Sequence, residues 1–114
     1  MKRTPLSKVS KARAALNVKR RAFVKDILAE RPECEAHIPR VCSHYACDVH
    51  EILTRARGGS ILDPDNVLAL CRDCHTFITV NPGFSQEHGF TVHAWATSAD
   101  VIAAARAREM YAQN

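Results

Sequence analysis

Two cysteines stand two residues apart in the run Cys71-Arg72-Asp73-Cys74-His75, and that spacing constrains the fold more than any other feature of the chain. A turn of this length brings both thiolates to the same side of the backbone, where they can meet one tetrahedral ion at about 2.3 Å, the usual zinc–sulfur distance. The chain has 5 cysteines, an odd number, and closely spaced thiols in a reducing compartment more often hold metal than pair as disulfides. A structural zinc site is therefore expected. Cys34 and Cys42 are its expected second pair, because a loop closing onto a later knuckle is how a small domain replaces missing core. Two competitors stay open: His37 follows Cys34 at a ligand-like spacing, and Cys47 lies a few residues beyond Cys42.

Length supports the same view. A chain of 114 residues with 6% aromatics suits one domain with a small core, the size at which a metal often supplements hydrophobic burial. No apolar run approaches the roughly 18 to 20 residues needed to span a bilayer, and the start MKRTPLSKVSK has no apolar centre. No membrane partner is expected, and the cytoplasm is the expected location.

Charge is uneven along the chain. Residues 1–31 carry ten Lys or Arg against Asp26 and Glu30, whereas residues 32–114 carry six against ten acidic residues. The head is strongly basic and the body mildly acidic. Such asymmetry suits a polyanion, because each phosphate neutralised by Lys or Arg releases condensed counterions. A solvated helix face would read the same way, so the charge supports nucleic acid without proving it.

Residues 1–7 read as a flexible arm. From about Lys8 to Arg31 the residues Ala12, Leu16, Phe23, Ile27 and Leu28 recur at helical spacing until Pro32 stops the pattern. The stretch from Pro32 to Ala46 reads as a loop tied down by metal. A strand is expected over Cys47–Leu53 and another over Val67–Leu70, joined by the turn-rich TRARGGSILDPDN. Cys71–Val80 is expected to be a helix that stops at Asn81-Pro82-Gly83. Phe90–Ala96 reads as a short extended segment around Trp95, and Ser98 as the cap of a helix over Ala99–Ala112.

Between Asp48 and His75 the sequence sets a His-Glu pair, a Gly-Gly turn, an Asn and the Cys-Arg-Asp-Cys-His knuckle at spacings that resemble the HNH endonucleases. The resemblance covers about residues 34–82. It implies an α+β fold: a ββα-metal core with a zinc knuckle over residues 32–96, flanked by a basic arm and helix over residues 1–31 and a C-terminal helix over residues 97–114. Many relatives carry two cysteine pairs, which fits Cys34 and Cys42 with Cys71 and Cys74.

The implied activity is metal-dependent hydrolysis of phosphodiester bonds in DNA, by nicking or by cutting both strands. On that resemblance His50 falls at a metal-ligand position, Glu51 at the base position, Gly58 and Gly59 at the turn, Asn66 at the central Asn and His75 at the first helical ligand. His50 and His75 would share one catalytic divalent ion, Mg²⁺ or Mn²⁺, and Asn66 would hold the loop. Two positions depart from the family pattern: Glu51 replaces the usual His, and Thr79 stands where many relatives have a further His or Asn ligand. A second register makes His50 the base and Asp48, two residues earlier on the same strand face, a ligand. Arg55, Arg57 and Arg72 lie near enough in sequence to touch phosphate, while His44, His88 and His93 match nothing and are expected to be non-catalytic. Small proteins of this kind resemble those of phages, some of which assist a packaging terminase. That implies DNA, and the large subunit of such a terminase, as partners in a bacterial or phage-infected cell.

Overall fold

Lys11–Glu30 forms the first helix, α1, in the computed structural model, which describes residues 10–113. Ser10 sets its start: the hydroxyl oxygen accepts the Arg13 backbone N–H at 3.1 Å, satisfying one of the donors that a helix N-terminus leaves unpaired. Pro32 sets its end, since the residue before a proline is pushed out of the helical region, and Arg31 leaves it at φ −125°, ψ 71°. The arm expected over residues 1–7 lies outside the described residues.

Only the second half of α1 buries side chains. Ile27 is buried, and Phe23, Val24 and Leu28 are half-buried around it, against Val49, Val67 and Ala69. The first half, with Lys11, Arg13 and Lys19, stands exposed, and the principal extents are 59 × 30 × 29 Å.

Two short strands, β1 (Asp48–Glu51) and β2 (Val67–Leu70), pair antiparallel with Asp48 opposite Leu70 and Glu51 opposite Val67. β2 is buried along its whole length because both faces are covered. Val67 and Ala69 meet α1, while Leu68 and Leu70 enter a larger core with Ile52, Ile78 and Phe90, as the two-residue period of a strand requires. β1 is shorter than the strand expected over Cys47–Leu53. Backbone pairing does continue at both ends, from Cys47 N–H to Leu70 O at 2.9 Å and from Ile52 N–H to Asn66 O at 2.8 Å. At Leu53 the side chain of Asn66 takes over from the ladder.

β2 leads directly into α2 (Arg72–Val80), and α3 (Pro82–Glu87) follows after the single residue Asn81. The expected stop at Asn81-Pro82-Gly83 is therefore a break between two helices: proline cannot continue α2 but is pre-shaped for the first position of α3. Residues 90–96 hold bends and a turn at Ala94-Trp95 rather than the extended segment expected there, and Trp95 is 79% exposed. One backbone bond, Val92 N–H to Ile52 O at 3.3 Å, ties that segment to the end of β1.

The last helix, α4, spans Ser98–Ala112, and its cap is Thr97 rather than Ser98. The Asp100 carboxylate accepts the Thr97 backbone N–H at 2.7 Å, a reciprocal arrangement that favours Thr97 as the half-in residue. Ala104 and Tyr111 of α4 close the larger core, with Tyr111 set edge-on to Phe84 and Phe90. The architecture is a mixed α+β fold of one two-stranded sheet and four helices among the described residues. No helix among them is long and apolar enough to cross a membrane.

Candidate metal centre and the His50–His75 cleft

Cys71 is the N-cap of α2, and its sulfur accepts the Cys74 backbone N–H at 3.3 Å. The two-residue spacing thus makes one turn serve both as helix start and as half of a metal clasp. The other half comes from the loop before β1, which is held against β2 by Glu35 N–H to Ala69 O at 2.8 Å and closed on itself by Cys34 N–H to His44 O at 2.7 Å. Together these place Cys34, Cys42, Cys71 and Cys74 with their sulfurs within 4.8 Å of one another.

All four thiols are free, and Cys34, Cys71 and Cys74 are completely buried. Burial pushes the Cys42 and Cys74 thiols up. Burial also raises Cys71, but hydrogen bonds from Ser43 and from the Cys74 backbone outweigh it and bring that thiol down to about 6. Backbone N–H groups also point at sulfur from Ser43 to Cys71 at 3.4 Å and from His44 to Cys42 at 3.3 Å. Donors aimed at sulfur favour the thiolate, the form that binds metal. The donor set fits a four-coordinate ion such as zinc. Of the competing ligands, exposed Cys47 stays outside this cluster, and so does His37.

The histidine pair lies on the same face of the sheet as the cysteine-bearing core, with His50 opposite Leu68 in the ladder. Asp48 and His50 share one face of β1, and the His50 ring stands edge-on to that of His75 on α2 with centroids 5.3 Å apart. His50 Nε2 lies 2.8 Å from the Phe90 carbonyl oxygen. A carbonyl can only accept, so Nε2 carries the proton and Nδ1 keeps its lone pair. His75 Nδ1 lies 3.0 Å from Asp48 Oδ2, so that ring donates through Nδ1 and leaves Nε2 free. Each imidazole therefore has one nitrogen held and one available.

Asp48 is fully engaged. Arg72 grips both carboxylate oxygens, at 2.7 and 2.9 Å, and with His75 holds the Asp48 carboxyl below its ordinary range against the opposing effect of burial. Asp48 thereby orients His75, while Arg72, expected near phosphate, is committed to Asp48. Asp48, His50 and His75 do not bring three ligand atoms within 4.8 Å of one another. The two rings border adjoining hollows, His75 with Arg20 in one and His50 with Arg57 in the other, and Thr79 lines both. The Thr79 hydroxyl donates to the His75 carbonyl oxygen at 2.9 Å.

Burial drives the His50 pKa down to about 4. The folded value lies below the ordinary value near 6.5, so between the two the unfolded chain binds more protons, and stability is full above about pH 6.5 and falls on acidification. From pH 7 to pH 4.5 this linkage removes about 2 kcal/mol. Urea unfolding without added magnesium or manganese should show His50→Gln losing about 2 kcal/mol less than the wild type over that range; equal losses would contradict a neutral buried ring.

Glu51 points to the other face of β1, where Arg20 of α1 approaches it at 3.6 Å. Arg20 was not legible as a site residue in the sequence. Only the docking of α1 on β1 brings it beside Glu51 and the His75 hollow, and one of its guanidinium nitrogens is buried without a partner.

Asn66 is buried at 4% exposure and pins the connection between the strands. Its Oδ1 accepts Leu53 N–H at 2.9 Å, and its Nδ2 donates to Leu53 O at 2.8 Å and to Ser60 O at 3.1 Å. Gly58 takes the left-handed φ of 97°, and a Cβ on Gly59 would collide with the Leu53 carbonyl, so the glycine pair lets the loop fold tightly over Asn66. Asn66→Ala leaves three backbone groups without partners and should cost roughly 3 kcal/mol in urea unfolding of the zinc-loaded protein. Asn66→Asp should do no better, because it sets a second oxygen against two carbonyls.

Arg55 and Arg57 are exposed in the 3-10 turn Arg55–Arg57, and of the two Arg57 lines the His50 hollow. His88 lies against Phe84 and Tyr111, and His93 stacks on Trp95. The chain matches no protein-family model, no curated protein and no solved structure, so any family reading rests on the residues themselves.

Proposed function

We propose that the chain is a metal-dependent DNA endonuclease of the HNH type, with a catalytic site at His50, Glu51, Asn66 and His75 and a structural zinc among the four cysteines. The observation that carries the reading is the His50–His75 pair, with rings 5.3 Å apart on a strand and on the helix after its hairpin partner. Each ring has one nitrogen fixed by a backbone or carboxylate partner, which is how imidazoles are prepared for a metal. A divalent ion held by His50 and His75 would stabilise the charge that develops on the leaving oxygen during phosphodiester hydrolysis.

The remaining roles belong to the chain itself. Glu51, at the end of β1, takes a proton from the attacking water. Asn66 fixes the connection after Glu51 through Leu53. Arg20 and Arg57 supply positive charge at the two hollows, and the exposed first half of α1 adds Lys11, Arg13 and Lys19 for the DNA backbone. A terminase partner rests on the resemblance alone.

The Arg20–Glu51 ion pair favours a second reading. Glu51 is turned toward that arginine on the face of β1 away from His50, and a chain with such a pair can keep the fold and the basic helix as a zinc-stabilised DNA-binding module without cutting. Supercoiled plasmid separates the two. The first reading gives relaxed or linear DNA with 5′-phosphate ends when Mg²⁺ or Mn²⁺ is added to zinc-loaded protein; the second gives salt-sensitive binding and intact plasmid.

A further inference from the structure

The loop that carries half of the zinc clasp holds a second group of metal-binding atoms. His37, Cys42 and His44 each offer a ligand atom, and these too lie within 4.8 Å of one another. Cys42 is common to this group and to the four cysteines, but the two histidines face solvent whereas Cys34, Cys71 and Cys74 are buried. We propose that Cys42 is a bridging thiolate, and that His37 and His44 hold with it a second, exchangeable divalent ion of the zinc class at the protein surface.

Three physical observations support this site. The first is charge: a divalent ion among four thiolates leaves two negative charges in excess, which a second cation bound by neutral imidazoles would offset. The second is donor chemistry, since imidazole and thiolate together select zinc-like ions over magnesium or calcium. A half-buried sulfur can present one lone pair inward and another toward the histidines. The third is backbone conformation. His37 and His44 have φ of 49° and 74°, the left-handed region that glycine enters freely and other residues rarely adopt. Arg40 between them has φ 65° as well, and this run of left-handed turns folds the loop back so that both imidazoles reach the Cys42 sulfur. Solvent completes the coordination of such an ion, which makes it easier to exchange than the buried one.

The same backbone feature supplies a clean variant. His37→Gly with His44→Gly removes both imidazoles while relieving the backbone, so the clasp and its buried ion should persist. The full chain, wild type and double variant, is titrated with Zn²⁺ against a chromophoric chelator, and the zinc-loaded species are weighed by native mass spectrometry. The wild type is expected to take up one more equivalent than the double variant, in a weaker phase, with the tightest phase and the circular dichroism unchanged. Zinc bound at His50 and His75 contributes equally to both proteins and cancels. Equal stoichiometry and affinity would overturn the proposal. Loss of the tightest equivalent in the double variant would overturn it also, because the histidines would then serve the buried ion.

Discussion

Cys71→Ser, or removal of zinc by a strong chelator, is expected to unfold the chain. The cysteines are not an appendage to a finished core: Cys34, Cys71 and Cys74 are completely buried among Ile38, Ile52, Leu70, Ile78 and Phe90. Without an ion to offset their charge, the thiolates must either stay charged in an apolar setting or take up protons and repack. Structural zinc contributes about 10 kcal/mol or more of apparent binding free energy in small domains, against a total stability of about 5–15 kcal/mol for a domain. The expected result is loss of the cooperative urea transition and of most helical circular dichroism in the variant. Cys47→Ser is the control. Cys47 is exposed and outside the cluster, so its replacement should leave zinc content unchanged and alter stability by less than about 0.5 kcal/mol. An unaltered transition in chelated wild-type protein would show that hydrophobic packing alone holds the fold.

The second large effect concerns the cleft. On the proposed reading, His50→Ala and His75→Ala each lower plasmid nicking by at least about a hundredfold while zinc content stays constant. Glu51→Ala decides between the two registers. A loss of similar size assigns the base to Glu51, and nicking should then continue below the pH at which an imidazole base is protonated. Normal cutting by Glu51→Ala, with His50→Ala inactive, would assign the base to His50. The Asp48 geometry already weighs against that second register, because both oxygens of its carboxylate are taken by Arg72 and one by His75. Asp48 is placed to orient the His75 ring.

Local signals carried much of this arrangement. Val67–Leu70 was readable as an apolar run after a turn-rich connection, and α2 as the stretch that follows it, although Cys71 proves to be the cap of α2 rather than its first residue. The four cysteines were readable as two pairs, although spacing alone left His37 and Cys47 as rivals; only the fold of the loop before β1 separates them. Glycine and asparagine marked the tight connection over Asn66 because close backbone approach demands them. The errors fell where tertiary context decides. Asn81-Pro82-Gly83 does end α2 as it reads, but α3, which the same proline begins, is not marked in the sequence. The segment around Trp95 reads as extended, but it bends and closes a turn from His93 O to Ala96 N–H, with Val92 N–H tied to Ile52 O. Arg20 joins the site only through the docking of a distant helix, and no local pattern encodes that.

The most direct test compares zinc-loaded wild type with His75→Ala on supercoiled plasmid in Mn²⁺, at matched zinc content and matched circular dichroism. The endonuclease reading predicts metal-dependent relaxation by the wild type and at least about a hundredfold less by the variant. Equal cutting by the two proteins, or none by a folded wild type, would contradict it.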